Sequence, residues 1–356
     1  MRLNDLGWDD GFARAFAALT PTPDMQPGRI GVEFNYLYRV HLEDGEIEAT
    51  LAGRLKHRTY SRGALPAVGD WVAVRQRTSE RGVIVDVLPR RTRFSRRMAG
   101  TTTDEQVVAA NVDVLFIVMA LDEDFSLRRL ERYLLMTGES GATPVVLLTK
   151  PDLVPDAAAH MAGAESVAGG AAVHVVCPVR GEGLEPVVAR LAQGVTGALV
   201  GSSGVGKTTI INRLVGGEPR RTRDVRASDS KGRHTTTHRE LIPLPGGGLI
   251  IDTPGMRELQ LWDAGDGLRQ TFDDIEALAA ACRFGNCQHR GEPQCAVKAA
   301  VADGRVPASR LESYLRLQDE LVQLAQKQDQ RAQIEEKRRG KIGAKALRAH
   351  LKTKRP

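Results

Sequence analysis

The stretch ALVGSSGVGKTTIINRL, residues 198–214, decides the fold of the central part of the chain. Its middle matches the pattern G-x-x-x-x-G-K-[ST] at every fixed position, between a predicted strand and a predicted helix. In such a loop the backbone N–H groups surround phosphate oxygens, Lys207 adds positive charge, and the Thr208 hydroxyl can bind Mg²⁺. The predicted nucleotide contacts here are Gly201, Ser202, Ser203, Gly204, Val205, Gly206, Lys207, Thr208 and Thr209.

A second segment that fits a nucleotide site comes before this loop rather than after it. Residues 149–152 read TKPD and end a predicted strand, and a loop typical of base contacts, VCPVRGEGL, follows the next strand. In a segment of this type the carboxylate of Asp152 accepts two N–H groups of guanine, and the stem of Lys150 covers the ring. We therefore predict that Thr149, Lys150, Pro151 and Asp152 bind the base, and that the domain has a rearranged chain order.

Two polar segments after the loop are expected to complete the site. Asp252 ends an apolar strand and begins the sequence DTPG, so its carboxylate can hold Mg²⁺, while the N–H of Gly255 can sense the γ phosphate. Between them, GRHTTT is typical of a switch loop, and Thr236 is its predicted Mg²⁺ ligand. From Gly255 the chain reaches the first cysteine of the C-terminal part within about thirty residues.

The position after Gly255 carries Met256, where many GTPases carry the Gln that orients the attacking water. A methionine side chain cannot do this. Either turnover is slow, or another group positions the water, and His234 is the nearby candidate. The predicted catalytic residues are therefore His234 and Lys207.

The order of predicted elements indicates a multidomain chain. Short strands and turns predict an N-terminal OB-type β-barrel, alternating strands and helices predict a central α/β circularly permuted P-loop GTPase, and the remainder predicts a mostly helical zinc-binding domain. The barrel is either an RNA-binding surface or an SH3-like or OB-like spacer with a basic rim. The predicted divisions are an N-terminal extension at 1–26, the barrel at 27–98, the GTPase at 104–262, the helical domain at 263–325 and a basic tail at 326–356.

Three of the four cysteines fall within fourteen residues, together with a histidine. The pattern C-x4-C-x-H-x5-C supplies three thiolates and one imidazole, which is a complete tetrahedral ligand set for Zn²⁺. Because all four positions are filled by protein, we predict one structural zinc per chain rather than a catalytic one. Its ligands are Cys282, Cys287, His289 and Cys295.

Charge is concentrated at the C-terminus. Residues 326–356 contain eleven Lys or Arg and three Asp or Glu, a net charge of +8, which leaves −2 for the other 325 residues of a chain whose total is +6. Such a tail is typical of nucleic-acid contact, although it also fits a solvated helix. No apolar run is long enough for a membrane span and the start is unlike a signal peptide, so a cytoplasmic protein without membrane contact is expected.

The order TKPD, VCPVRGEGL, GSSGVGKTT, GRHTTT and DTPGMRE, with a barrel before it and the cysteine cluster after it, resembles the circularly permuted, ribosome small-subunit-dependent GTPases of the RsgA (YjeQ) family. The resemblance covers about residues 28–320. It implies a monomeric bacterial factor that binds the 30S subunit and its 16S rRNA late in assembly, hydrolyses GTP with Mg²⁺ when the subunit stimulates it, and then leaves. It also matches the family's switch-loop histidine to His234 and its zinc ligands to the four predicted here.

Three positions in two loops depart from that family's usual pattern. Thr149 stands where Asn is usual, which predicts a weaker hydrogen bond between two loops of the site. Cys177 and Pro178 stand where Ser and Ala are usual, and Pro178 has no N–H to donate to the guanine oxygen. We expect guanine specificity to persist through Asp152, with modest affinity.

Two other functions remain as alternatives. In the first, the chain is a nucleotide-gated RNA-binding protein in which GTP locks a conformation and hydrolysis is incidental, as Met256 suggests. In the second, it is an ATP-using kinase or ATPase, which the TKPD segment argues against because adenine lacks the pair of donors that Asp152 would accept.

Overall fold

The computed structural model describes most of the chain, apart from the two ends and six internal segments. The residues it describes are 2–34, 36–58, 62–97, 105–216, 239–253, 267–326 and 329–330.

Residues 2–17 form a small packed unit. A 3₁₀ turn, Leu3–Leu6, precedes helix α1, Asp10–Ala17, which begins where the Asp9 carboxylate accepts the N–H groups of Gly11 and Phe12. The rings of Trp8 and Phe12 lie 4.7 and 5.7 Å from the ring of Trp71, the buried first residue of a barrel strand. This part of the predicted N-terminal extension therefore covers part of the barrel core.

Five strands close into a barrel. They are β1 Met25–Phe34, β2 Leu37–Leu42, β3 Gly45–Leu51, β4 Trp71–Gln76 and β5 Arg81–Val87. Their order is β1-β2-β3-β5-β4, and β4 pairs with β1 to close the ring. Helix α2, Gly53–Arg58, lies between β3 and β4 in the chain. This architecture, with a core that includes Ile30, Val40, Ile47 and Ile84, confirms the predicted OB-type barrel.

A two-stranded ribbon leads from the barrel to the central sheet. Its strands, β6 Arg93–Arg97 and β7 Glu105–Ala110, run antiparallel. Beside it, the guanidinium of Arg29 is fully buried and donates to the carbonyl oxygens of Leu6, Gly69 and Asn111. Burial lowers the pKa of Arg29 to about 10. One side chain thus ties together the N-terminal unit, the barrel and the entry to the sheet.

The central sheet has six strands covered by helices on both faces. In chain order the strands are β8 Val114–Ala120, β9 Thr143–Thr149, β10 Ala172–Val176, β11 Thr196–Val200, β12 Glu240–Pro243 and β13 Leu249–Asp252. The helices are α3 Leu127–Ser140, α4 Ala157–Glu165, α5 Glu185–Arg190 and α6 Lys207–Val215. The spatial order is β10-β9-β8-β11-β13-β12, with all strands parallel except β12.

The barrel and the central sheet share one continuous set of strands. β12 pairs with β13 on one side and with β1 of the barrel on the other. In the register, Val32 of β1 lies opposite Glu240, Glu240 lies opposite Asp252, and Asp252 lies beside Leu199 of β11. A single cross-strand row therefore runs from the barrel to the strand that leads into the phosphate-binding loop.

The C-terminal part is helical, as predicted. Its helices are α7 Gly267–Thr271, α8 Asp273–Ala279, α9 Ala296–Ala302 and α10, residues 308–326. Phe272, Ile275, Val297 and Tyr314 are buried between them, and α7 packs against α3 of the central sheet. Over the described residues, none of the helices combines the length and the apolar character needed to cross a bilayer.

Candidate nucleotide site and metal centre

The loops predicted to bind nucleotide meet at one edge of the sheet. Because β8, β9, β10, β11 and β13 are parallel, their carboxyl ends all lie on the same side. Thr149 lies opposite Ala120 in the pairing of β9 with β8, and Asp252 lies opposite Leu199 in the pairing of β13 with β11. Chain order does not matter to this convergence, so the segment before the phosphate-binding loop and the one after it flank it equally.

The backbone of the phosphate-binding loop requires glycine at two points. Gly201 has a φ of 150°, and a Cβ there would lie 2.2 Å from the carbonyl oxygen of Val118. Gly206 has a φ of 100° and begins helix α6 without a side-chain cap. The first N–H groups of α6 therefore remain available at a helix N-terminus, which suits the binding of an anion.

Lys207 is already placed for phosphate. Its Nζ donates to the carbonyl oxygens of Gly201 at 2.8 Å and of Ser202 at 2.6 Å, and the residue is only 8% exposed. An ammonium has three N–H donors, so one remains for a phosphate oxygen. Burial lowers the pKa of Lys207 to about 8, against the opposing charge of Asp252. A bound phosphate would remove this penalty by supplying a counter-charge.

Asp252, whose charge acts on the Lys207 ammonium, and Thr208, the next residue of α6, offer oxygen ligands at this edge. Asp252 is buried at the end of β13, and Thr208, half-buried, follows Lys207 in α6. The Thr253 hydroxyl donates to the carbonyl oxygen of Leu199 and so fixes the residue after Asp252 against β11. Carboxylate and hydroxyl oxygens are the ligands that Mg²⁺ prefers, so these residues fit the ion.

Thr149 links the base segment to the phosphate-binding loop. Its side chain is fully buried, and its hydroxyl lies 2.6 Å from the carbonyl oxygen of Val205 and 3.4 Å from that of Met119. The shorter contact is a full hydrogen bond between the two loops. Thr149 in place of the usual Asn therefore keeps the link whose weakening the sequence suggested.

Lys150 pairs with a carboxylate that the sequence did not single out. It adopts a left-handed backbone conformation, with φ 57°, and its Nζ lies 2.9 Å from Oδ2 of Asp122 just after β8. Partial burial opposes ionisation of Asp122, but the hydrogen bonds from Lys150 and from the N–H of Asp124, together with the charges of Lys150 and Arg129, lower the pKa of that carboxyl. Asp152, two residues further on, is exposed and can accept hydrogen bonds from a ligand.

The loop after β10 is tied to α6 by an arginine. Arg213 donates through Nε to the carbonyl oxygen of Pro178 at 2.8 Å and through Nη2 to that of Val179. The preceding residue, Cys177, is buried, and its carbonyl oxygen accepts the N–H groups of residues 180–182 in a tight turn. The helix of the phosphate-binding loop thus positions the second predicted base loop, in which Pro178 offers no N–H.

The four predicted zinc ligands come together. The nitrogen and sulfur atoms of Cys282, Cys287, His289 and Cys295 all lie within 4.8 Å of one another. Cys282 Sγ is 3.9 Å from Cys295 Sγ and 3.6 Å from His289 Nδ1. His289 Nδ1 lies 3.4 Å from Cys295 Sγ. Tetrahedral zinc with ordinary bond lengths requires S···S near ~3.8 Å and S···N near ~3.6 Å. The cluster therefore has the dimensions of a four-coordinate metal site.

Two features hold this cluster in shape. Glu292, which the sequence analysis missed, accepts the backbone N–H groups of Gln288, Arg290 and Gly291 around the histidine ligand. These bonds lower its pKa to about 2. Cys295 caps helix α9 by accepting the N–H of Lys298 at 3.4 Å, so a thiolate there benefits from the helix dipole.

The structure thus places together all the predicted residues that it describes. The residues from 149 to 209 that are predicted to bind phosphate, base and Mg²⁺ share one edge with Asp252, and the four predicted zinc ligands form a second cluster. His234, Thr236 and Gly255 lie outside the described residues.

Comparisons with known proteins agree with this arrangement. Residues 87–262 match the family described as RsgA GTPase. A protein of Opitutus terrae named small ribosomal subunit biogenesis GTPase RsgA is 48% identical over 339 residues, 92% of each chain. The crystal structure of YjeQ from Thermotoga maritima has a TM-score of 0.63 at 25% identity, over 84% of this chain and 99% of that one. A structure of YloQ, described as a circularly permuted GTPase, has a TM-score of 0.58 at 25% identity, over 84% and 96%.

The match covers nearly the whole of this chain and of its relative, and the solved structures share its fold over 84% of the chain. The chain therefore belongs to the RsgA GTPase family.

Proposed function

We propose that this protein is a GTPase of small ribosomal subunit biogenesis that works as a monomer in the cytoplasm. The observation that carries the proposal is the meeting of the phosphate-binding loop, the TKPD segment and Asp252 at one sheet edge. Relatives that match over most of their length are named small ribosomal subunit biogenesis GTPases. A GTPase needs a segment that recognises guanine beside a loop that binds phosphate, and we assign these two roles to the TKPD segment and the phosphate-binding loop.

Each residue of the edge has a proposed role. Lys207 and the amides of residues 201–209 bind the phosphates, and Thr208, Thr236 and Asp252 hold Mg²⁺. Asp152 accepts the guanine N–H groups, and the Lys150 stem, fixed by Asp122, lies against the ring. His234 orients the attacking water, since Met256 cannot, and Gly255 senses the γ phosphate.

The flanking parts are proposed to bind the 30S subunit. The barrel at 27–98, the helical part at 263–325 and the basic tail at 326–356 would contact 16S rRNA, and GTP hydrolysis would drive release. A structural Zn²⁺ in the cysteine cluster would fix the loop between α8 and α9, because its four bonds cross-link residues 282–295. Its role is folding rather than chemistry.

One assay tests the proposal: GTP hydrolysis with and without purified 30S subunits. We expect stimulation by the subunit, loss of turnover in Lys207→Ala, and loss of stimulated turnover with retained GTP binding in His234→Ala. Absence of stimulation would overturn the ribosomal role, and tighter binding of ATP than of GTP would overturn the guanine assignment. Normal release of His234→Ala from subunits would favour the nucleotide-gated RNA-binding alternative.

A further inference from the structure

Helix α3 lies between the nucleotide edge and the C-terminal helices, and its first turn touches the phosphate-binding loop. The helix begins at Ser126, whose hydroxyl accepts the N–H of Arg129. Nη1 of Arg129 lies 2.9 Å from the hydroxyl of Ser202 and 2.7 Å from both carboxylate oxygens of Asp124. Nη2 donates to the carbonyl oxygen of Asp124 at 2.8 Å. The guanidinium is thus held in one orientation against the loop.

Ser202 is the point at which two cations meet. Its carbonyl oxygen accepts Nζ of Lys207 at 2.6 Å, and its hydroxyl accepts Nη1 of Arg129 at 2.9 Å. A phosphate that binds to Lys207 shares the positive charge of the ammonium and so weakens its hydrogen bond to the Ser202 carbonyl oxygen. A resulting movement of Ser202 acts directly on Arg129, because the hydroxyl of Ser202 accepts a hydrogen bond from the Arg129 guanidinium.

The residues that follow Arg129 in α3 contact the C-terminal helices, Glu131 from the opposite face of α3 and Arg132 from the same face as Arg129. Glu131, which is buried, lies 3.3 Å from Nη1 of Arg310 in α10, and Arg310 in turn binds both carboxylate oxygens of Asp274 in α8 at 2.6 and 2.7 Å. Arg132 binds the carboxylate of Glu320 in α10. These links start two and three residues after Arg129, so the loop contact and the contacts to α8 and α10 leave α3 within one helical turn, a rise of about 5.4 Å.

We propose that Arg129 is a positioning residue that couples the phosphate-binding loop to α3, and that α3 passes the occupancy of the nucleotide site to the zinc-bearing helices. The inference rests on the proposed function, because it needs a nucleotide at Lys207. This coupling through α3 does not run along residues 254–266, which connect Asp252 to α7 in the chain. All of its contacts are between residues that the structure describes. A short helix segment with charged contacts on both sides moves as one body, so a shift at one set of contacts changes the other.

The coupling is reciprocal by thermodynamic necessity. A nucleotide that alters the packing of α8 and α10 must bind with a different affinity when that packing is altered. Arg310 is the residue that joins α3 to both helices, so weakening it should change nucleotide affinity, and the change should depend on Arg129.

The test measures amide hydrogen exchange in α8 and α10 of the full chain, without nucleotide and with saturating GDP or a non-hydrolysable GTP analogue. We expect a nucleotide-dependent change in wild type that falls about fivefold or more in Ser202→Ala and in Arg129→Gln. The matched control is Arg39→Gln, an exposed arginine of the barrel, away from the nucleotide edge, whose side chain pairs with Glu46. The control should keep the wild-type change. A full wild-type change in both test variants, or an equal loss in the control, would overturn the proposal.

A double-mutant cycle gives a readout that a merely structural role would not move. The effect of Arg310→Met on GDP affinity should be present in the wild-type background and absent in Arg129→Gln. Equal effects in the two backgrounds would refute the coupling. The two hypotheses also fail differently. A wild-type chain that binds no guanine nucleotide refutes the proposed function, whereas one that binds it with no response in α8 and α10 refutes only the role of α3.

Discussion

Replacing Arg310 with methionine should destabilise the junction between α3 and the zinc-bearing helices. Arg310 is 6% exposed and makes four polar contacts, two with Asp274, one with the carbonyl oxygen of Thr271 and one with Glu131. Its guanidinium also lies 4.8 Å from the ring centre of Phe272. Methionine can keep much of the packing of the side-chain stem but none of the charge.

The cost follows from what the substitution leaves behind. Asp274 is partly exposed and can be hydrated, but the side chain of Glu131 is 3% exposed and would lose a cation. Removing one partner of a buried pair costs about 3–5 kcal/mol, because the remaining charge is uncompensated. Local opening of α8 and α10 should therefore become roughly 10²–10³-fold more frequent, at about 1.4 kcal/mol per tenfold.

The loss should depend on pH with a definite sign. Burial already raises the pKa of Glu131 above its usual value of 4.5, against the lowering effects of Ser313 and Arg310. Without Arg310 the folded-state pKa rises further. A group whose folded pKa is raised stabilises the fold when protonated, and this contribution disappears as the pH rises from 4.5 through the folded pKa. The variant should therefore regain stability as the pH is lowered from neutral toward 4.5.

Native-state hydrogen exchange of amides in 273–279 and 308–326 measures the effect directly. Arg316→Met is the matched control, because Arg316 lies on the same helix in an exposed pair with Glu312 and should cost no more than about 1 kcal/mol. Adding Glu131→Gln to Arg310→Met should recover most of the loss. A change below about 1 kcal/mol with no pH dependence would refute the account of Arg310 as a buried charge partner.

Three further predictions concern the two sites. Thr149→Val leaves the carbonyl oxygen of Val205 buried and unpaired, so the free energy of unfolding in urea should fall by about 1–3 kcal/mol. Thr149→Ser keeps the hydroxyl and should keep most of the wild-type stability, so equal stability of the two variants would contradict this. Because the pKa of Lys207 is about 8 and a bound phosphate raises it, GDP affinity measured by calorimetry should decrease as the pH rises above 8, and an unchanged slope in Lys207→Ala would rule out this origin. Cys295→Ser should lower bound zinc from about one ion per chain to nearly none by elemental analysis and speed amide exchange in α9, and full zinc retention would remove Cys295 from the ligand set.

The nucleotide edge could be predicted from the sequence because each of its segments follows an apolar strand. Parallel strands bring their carboxyl ends together whatever the chain order, so Lys207, Thr149 and Asp252 needed no knowledge of tertiary contacts. Asp122 carried the same signal, an acidic residue directly after a buried strand, and could have been found by it.

Other contacts left no local signal. Arg129 and Ser202 are 73 residues apart, and Glu131 and Arg310 are 179 residues apart. Arginine and glutamate on an amphipathic helix are ordinary solvent-facing residues by composition. Glu131 and Arg310 become a buried pair only because α10 packs across α3. A single sequence gives no sign that these two residues are close in space.

The row that joins Val32, Glu240, Asp252 and Leu199 determines where the chain can change length. Side chains alternate between the faces of a sheet, so one inserted or deleted residue in β12 or β13 would turn Asp252 to the opposite face and shift the barrel against the sheet. The turn between these strands, residues 244–248, lies at the far end and can absorb insertions. We therefore expect the tip of this hairpin to tolerate insertions and deletions. At its base, a change of strand register should disable both the metal edge and the contact with the barrel.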